Sequence, residues 1–271
     1  MKPFEELEFC DGFLFAATLE DEEICRSVLA RILDIPVKAV KVHKESMIAI
    51  NPEYRGIRMD VYADDEAGTV FDVEMQTTDK GNLPRRSRCY RSQMDVAALE
   101  PGDDVNMLPR SFVIFICTFD PFGDGLYRYT YENTCRENGR FLEDGTTTVF
   151  LSTRGKNPAG VSQALIDFLC FVESSSYGSS VGEDQLLQKL CNRIRYLKRS
   201  RRMEERYMLF GELLDKERRE GRKEGKAEIE AELLSLMKAM IEDDRQTDLL
   251  QLQADPDFLE AMKVRYSVSS V

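Results

Sequence analysis

Residues 56–76 constrain this chain more than any other stretch. They hold two runs, IRMDVYA and TVFDVEMQ, in which apolar and polar residues alternate, separated by Asp64-Asp65-Glu66-Ala67-Gly68. Alternation of period two marks a strand, and an acidic spacer ending in glycine is turn chemistry, so the segment predicts a β-hairpin. Side chains alternate across a strand, which puts Ile57, Met59 and Val61 on one face with Phe71, Val73 and Met75. The other face then carries Arg58, Asp60 and Tyr62 with Val70, Asp72, Glu74 and Gln76, the pattern of an exposed polar sheet face.

Helical patterns flank the hairpin. Phe13, Ala17 and Leu19, then Ile24, Val28, Leu29 and Ile32, predict two short helices, closed at Asp34-Ile35-Pro36 because proline disfavours helix in the residue before it. Residues 37–50 read as strand, with Val40, Val42 and a second part over 47–50, and Asn51-Pro52 as a loop. A helix over 83–99 is supported by Leu83, Ser87, Tyr90, Met94, Ala97 and Ala98, and Pro101-Gly102 closes it. SFVIFICTF is apolar throughout and short, which fits a strand buried on both faces. Asp120-Pro121-Phe122-Gly123 turns the chain, GLYRYTYEN and 147–151 supply further strands, and 159–172 form an amphipathic helix. The fold class that follows is α/β, a mixed sheet flanked by helices.

From Glu183 onward long charged side chains take over, with a basic run at Arg193, Arg195, Lys198, Arg199, Arg201 and Arg202, so the expected division is 1–180 as the main domain and 181–271 as a charged helical extension. Residues 215–228 have no apolar face. Narrow stripes precede them (Met203, Tyr207, Phe210, Leu214) and follow them (Ile229, Leu233, Met237, Met240), too narrow for a separate core and suited to self-association, hence a homo-oligomer through the C-terminal helices.

Composition removes several classes of chemistry. The 271 residues are 42% hydrophobic and 32% charged, a globular rather than disordered balance. No apolar run reaches the roughly 18 residues of a membrane span and the N-terminus is acidic, so a cytoplasmic protein is expected. Seven cysteines without a CxxC pair suggest neither a zinc knuckle nor a disulfide framework. With His43 the sole histidine, a serine or cysteine triad is disfavoured, and the absence of tryptophan weakens a sugar-cleaving site built on Asp60 and Glu74. A net charge of −12, from 37 Lys and Arg against 49 Asp and Glu, repels a polyanion only on average, since binding depends on the local potential.

Chemistry therefore rests on carboxylates. An antiparallel register set by a five-residue turn brings Asp60 near Asp72 and diagonal to Glu74, with Cβ atoms roughly 7–8 Å apart across the diagonal. Such a pair can share Mg²⁺, with Mn²⁺ as substitute, completed by a backbone carbonyl, at Met75, and a bound phosphate. Next along the chain, Arg85, Arg88 and Arg91 form one helical stripe, with Arg86 and Tyr90 on a neighbouring one. Guanidinium groups there would hold phosphates bidentately, or simply form a solvated helix face.

Asp60 followed by Glu74-Met75-Gln76, with the flanking IRMDVYADD and VFDVEMQTTDKG, resembles the PD-(D/E)XK nuclease family transposases, also called recombination-promoting nucleases. The likeness extends through DGFLFAATLEDEEICR, RRSRCY and VIFICTFDPFG, and the EGRKEGKAEIEAE tail is similar too. This resemblance implies a restriction-endonuclease-like sheet, Asp60 and Glu74 as metal ligands, and Gln76 where the wider superfamily usually has lysine. It further implies a Mg²⁺-dependent DNA endonuclease that promotes recombination or transposition, with Asp60, Glu74 and Gln76 catalytic and Arg85, Arg86, Arg88, Tyr90 and Arg91 on DNA. The alternative is a catalytically weak or inactive nuclease fold that serves as a DNA-binding or assembly module, motivated by Gln76, the acidic charge and the long tail.

Overall fold

The computed structural model describes residues 2–43, 47–48, 57–174 and 182–266. Two compact units divide the chain, Met1–Glu204 and Glu205–Val271. The first unit opens with helices α1 (Gly12–Leu19) and α2 (Glu22–Leu33). The Asp21 carboxylate caps α2 by accepting from the Ile24 N–H at 3.2 Å, and Asp34 ends it in the left-handed region at φ 56.

Strands β1 (Val40–His43), β4 (Val61–Asp65), β5 (Val70–Gln76), β6 (Ser111–Cys117), β7 (Arg128–Tyr131) and β8 (Thr146–Ser152) form one six-stranded sheet in the order β1-β4-β5-β6-β8-β7. β1, β4 and β5 are antiparallel, β5, β6 and β8 are parallel, and β7 returns antiparallel to β8. The parallel step from β5 to β6 is made through helix α3 (Leu83–Ala98). The molecule is thus a mixed α/β sheet flanked by helices, consistent with a restriction-endonuclease-like fold.

Three details of the expected hairpin are corrected. First, IRMDVYA is not one strand: β3 (Ile57–Arg58) pairs with β2 (Met47–Ile48) in a separate two-stranded sheet, and the chain bends at Asp60 before β4 begins. Met59 accordingly joins the core beneath α3. Second, the turn is shorter than five residues. The Asp65 carboxylate accepts from the Ala67 and Thr69 N–H groups, both at 2.9 Å, and Gly68 takes φ 80, so pairing runs on through Asp65. Third, the register sets Tyr62 opposite Asp72 and Val61 opposite Val73, one pleat from the expected pairing of Asp60 with Asp72. Residues 44–46, 49–56 and 175–181, including the expected Asn51-Pro52 loop, lie outside the described residues.

Helix α3 lies on one sheet face and buries Leu83, Ser87, Tyr90 and Met94 of the predicted stripe, while Ala97 and Ala98 in its last turn are exposed. Beneath it are Val113, Phe115, Cys117, Tyr129 and Phe150. Tyr90 stacks on Phe115 at 5.9 Å and Phe115 on its cross-strand partner Phe150 at 5.4 Å, each pair contributing about 0.5–1.5 kcal/mol beyond area burial. Every residue of β6 is buried, as a central strand requires. Elsewhere α1 meets β5 and α2 meets β1, with α4 (Gln163–Glu173) on α2 and α5 (Gln185–Lys198) on both α1 and α2. Composition groups α5 with the charged extension, yet Leu186, Leu187 and Leu190 are buried in the first unit.

Helix α6 (Arg201–Glu242) starts in the first unit and continues into the second. Contrary to the expectation of a stripe too narrow for a core, the second unit has one: Leu236 and Met240 of α6 are fully buried with Leu252 of α7 (Leu249–Ala254) and Met262 of α8 (Pro256–Arg265). Asp255 caps α8 through the Asp257 and Phe258 N–H groups, with Pro256 in the first turn.

Candidate active site

The bend at Asp60 sets the geometry of the site. Leaving the β4 ladder frees the Asp60 N–H, which donates to Glu74 Oε1 at 2.8 Å, while Asp60 Oδ2 accepts from the Met75 N–H at 3.0 Å. Asp60 is therefore tied to two neighbouring residues of β5, by its N–H to the Glu74 carboxyl and by its own carboxylate to the Met75 N–H, rather than lying diagonal to Glu74. Asp72 belongs to the same group, since its charge and those of Asp60 and Glu74 act on one another.

This sheet face is not exposed, as simple alternation predicts, because α3 covers it. Asp72 is 0% and Glu74 2% exposed, Asp60 is half-buried, and only Gln76 at the end of β5 reaches the rim. Burial, reinforced by the Asp60 charge, pushes the Asp72 and Glu74 carboxyls well above the usual carboxylate range. Neither Asp72 oxygen has a hydrogen-bond partner of ordinary geometry. The Glu74 carboxyl nevertheless lies close enough to favour the Asp72 anion, and so do the charges of Arg86 and Arg91.

Arg86 supplies the cation. Its Nη1 donates to Gln76 Oε1 at 2.6 Å and its Nη2 to the Tyr90 hydroxyl at 2.7 Å, with Glu74 Oε2 at 3.4 Å. The guanidinium also lies over the Tyr90 and Phe115 rings, at 5.2 and 5.6 Å from their centroids. Burial opposes its charge, but the Tyr90 bond and the carboxylates outweigh that and raise its pKa further. Tyr90, buried and next to Glu74, has its phenol pushed up to about 12 and stays neutral.

The arginines expected to act together are separated by the fold. Arg85 and Arg88 are exposed, and their guanidinium groups make no hydrogen bond or ion pair among the described residues. Arg91 is committed to the sheet. It donates to Ser111 Oγ at 2.6 Å, the Thr147 carbonyl at 2.7 Å and Thr148 Oγ1 at 2.9 Å, joining the beginnings of β6 and β8. Cys89, next to Tyr90, is exposed. His43 pairs with the Asp64 carboxylate across β1 and β4 and sits against Tyr62.

The donor set suits a hard divalent cation. Asp60, Asp72 and Glu74 offer only carboxylate oxygens, and the unpartnered Asp72 group is one that a positive charge would relieve. Among the described residues no three Asp, Glu, His or Cys side chains come within ligand reach of one point. A cation would then rest on two carboxylates and fill its shell with backbone, water and substrate oxygens, which is the habit of Mg²⁺. Asp72 was visible to sequence reasoning as a member of the polar face. Its burial under α3 was not, because nothing in a strand's alternation tells which face a later helix will cover.

Comparison with curated proteins brings no match. The model of one protein family matches residues 12–209, from α1 through the hairpin, α3 and the sheet into α6. With the bend, the buried carboxylates and the glutamine at the rim inside that span, the chain belongs to the PD-(D/E)XK nuclease family transposases.

Proposed function

We propose that this protein is a divalent-cation-dependent DNA endonuclease whose phosphodiester hydrolysis promotes recombination or transposition. The observation that carries the proposal is the link from Asp60 to the Glu74 carboxyl beside Arg86 and Gln76, within a chain of this nuclease family. Asp60 and Glu74, with the Met75 carbonyl, would hold Mg²⁺, or Mn²⁺ in its place. When bound, that ion supplies Lewis-acid polarisation of a phosphate oxygen and a coordinated water of lowered pKa.

The chain's own residues bind and orient. Exposed Arg85 and Arg88 on α3 suit phosphates flanking the scissile bond, because guanidinium pairs bidentately with phosphate. Gln76, uncharged, offers its amide as a hydrogen-bond donor at the rim. Helix α3 keeps water from the inner side of Glu74 and Asp72, so charge there acts through a medium of low polarity. In the reaction a water oxygen attacks phosphorus in line, the bond from phosphorus to the 3′ oxygen breaks, and that oxygen leaves with a proton.

Supercoiled plasmid tests this. With Mg²⁺ or Mn²⁺ the protein should convert it to nicked and linear forms, and Asp60→Ala or Glu74→Ala should abolish the conversion. Equal cutting by those variants removes the assignment.

One observation favours a second reading, a nuclease fold acting only as a DNA-binding or assembly module: Asp60 and Glu74 are already satisfied by backbone partners. Calorimetry separates the two. Micromolar to millimolar affinity for Mg²⁺ or Mn²⁺ supports the enzyme, and DNA binding with no cation affinity supports the module. Self-association through the C-terminal helices belongs to the same proposal, motivated by Leu209 and Leu213, 62% and 57% exposed on α6.

A further inference from the structure

We infer that Arg86 is a positioning residue: its guanidinium fixes the Glu74 carboxylate and the Gln76 amide in one orientation, and it does not grip DNA. The inference rests on the nuclease reading above and reassigns an arginine that sequence spacing places on phosphate.

Three of its donors point inward. The planar fork of Arg86 reaches Gln76 Oε1 and the Tyr90 hydroxyl from its two Nη atoms, and shares Nη2 with Glu74 Oε2. Two rings lie against its face, so a swing toward solvent would break the stacking and the hydrogen bonds together. Its side chain is 26% exposed, whereas Arg85 and Arg88 stand in solvent on the same helix, free for phosphate.

The effect on Glu74 and Gln76 follows from their atoms. Glu74 is engaged at both oxygens, by the Asp60 N–H on Oε1 at 2.8 Å and by the Arg86 charge 3.4 Å from Oε2, which restrains its rotation. For Gln76, a carbonyl oxygen turned to Arg86 leaves the amide nitrogen directed away from it. An uncharged side chain thereby presents two N–H donors of fixed direction at the end of β5, aimed at an oxygen acceptor such as a phosphate or the attacking water. Tyr90, four residues after Arg86 on the same helix face, anchors the far side of the fork.

The test uses the full chain and the variants Arg86→Gln and Arg86→Lys. Duplex affinity is measured in Ca²⁺, with its salt dependence, and single-turnover cleavage in Mg²⁺ at saturating DNA. Arg86→Gln should bind duplex within about twofold of the parent with unchanged salt slope, and cleave about 10–100-fold more slowly, the loss typical of an outer-shell partner. Arg86→Lys should stay at least about tenfold slow, since a single ammonium nitrogen cannot span acceptors that the planar fork reaches from two separate Nη atoms. Full rate in Arg86→Lys overturns the inference, because charge alone would then suffice. A loss of affinity and of about one unit of salt slope, with full rate at saturation, overturns it in favour of phosphate contact. A readout without cleavage separates this from the nuclease reading. In metal-free protein the Gln76 side-chain amide, assigned by its disappearance in Gln76→Glu, should give an NMR pair shifted from the solvent-exposed position, because its carbonyl oxygen accepts from a cation. That pair should move to the solvent-exposed position in Arg86→Gln, and no movement overturns the inference. Failure of the parent chain to cut any DNA sinks the nuclease reading alone.

Discussion

A carboxylate buried without a hydrogen-bond partner burdens the fold unless it is protonated or neutralised, and Asp72 is in that position. Its native pKa lies well above the ordinary 3.8, through burial first and the Asp60 charge second. The folded state thus binds more protons than the unfolded one as pH rises above about 4, so stability falls through that window and levels off beyond the raised value. In EDTA, Asp72→Asn should raise the melting midpoint by a few degrees at pH 8 and by little at pH 4, measured by thermal unfolding. A variant equally destabilised at both values would show instead that Asp72 is satisfied by a partner. The residue types of the candidate site, Asp60, Glu74 and Gln76, are legible as alternating polar positions, because alternation is local. Their depth was not, nor was the commitment of Arg86 and Arg91 to the protein, since both follow from how α3 docks on the sheet.

Elements were read most reliably where one periodicity governs them. The spacing of Leu83, Ser87, Tyr90 and Met94 located α3, and the apolar run located β6 at the centre of the sheet. Met94 is 1% exposed in the α3 core, and Met94→Ala should cost about 2–5 kcal/mol in denaturant unfolding. A loss below 1 kcal/mol would mean that the helix is loosely seated. The strand break at Met59-Asp60 left no such trace, because IRMDVYA alternates without interruption and only pairing with β2 divides it. Equally invisible was the role of α5, charged in composition but tied to α2 by the Arg31–Asp184 ion pair. Burial opposes the Asp184 charge, yet Arg31 and the Leu187 and Leu186 N–H groups hold its carboxyl below 3.8. That stabilisation is present above pH 4 and lost as pH falls through the depressed value. Removal of this cap and ion pair in Asp184→Ala should cost about 1–3 kcal/mol at pH 7. The difference from the parent should shrink below pH 4. A pH-independent difference would place the effect elsewhere.

Across the whole molecule, an acidic chain is proposed to act on an acidic polymer, which local arrangement rather than net charge must explain. Exposed arginines on α3 beside a cation held by carboxylates would reverse the local sign at the site. No helix among the described residues is long and apolar enough to cross a membrane. The proposed self-association would use the exposed α6 residues Leu209 and Leu213, so the full chain should sediment as a dimer at micromolar concentration. The pair of substitutions Leu209→Lys and Leu213→Lys should then sediment as a monomer, and monomeric behaviour of the parent chain would remove assembly from the account. The claim on which everything else depends is hydrolysis at Asp60 and Glu74. Its most direct test is single-turnover cleavage of a labelled duplex by Asp60→Asn and Glu74→Gln, which keep shape but remove charge. The account predicts a fall of more than about 100-fold in both, beyond the loss typical of an outer-shell partner, and no cleavage by the parent chain in EDTA. Cleavage within a few-fold of the parent in either variant, or cleavage that persists in EDTA, would contradict it.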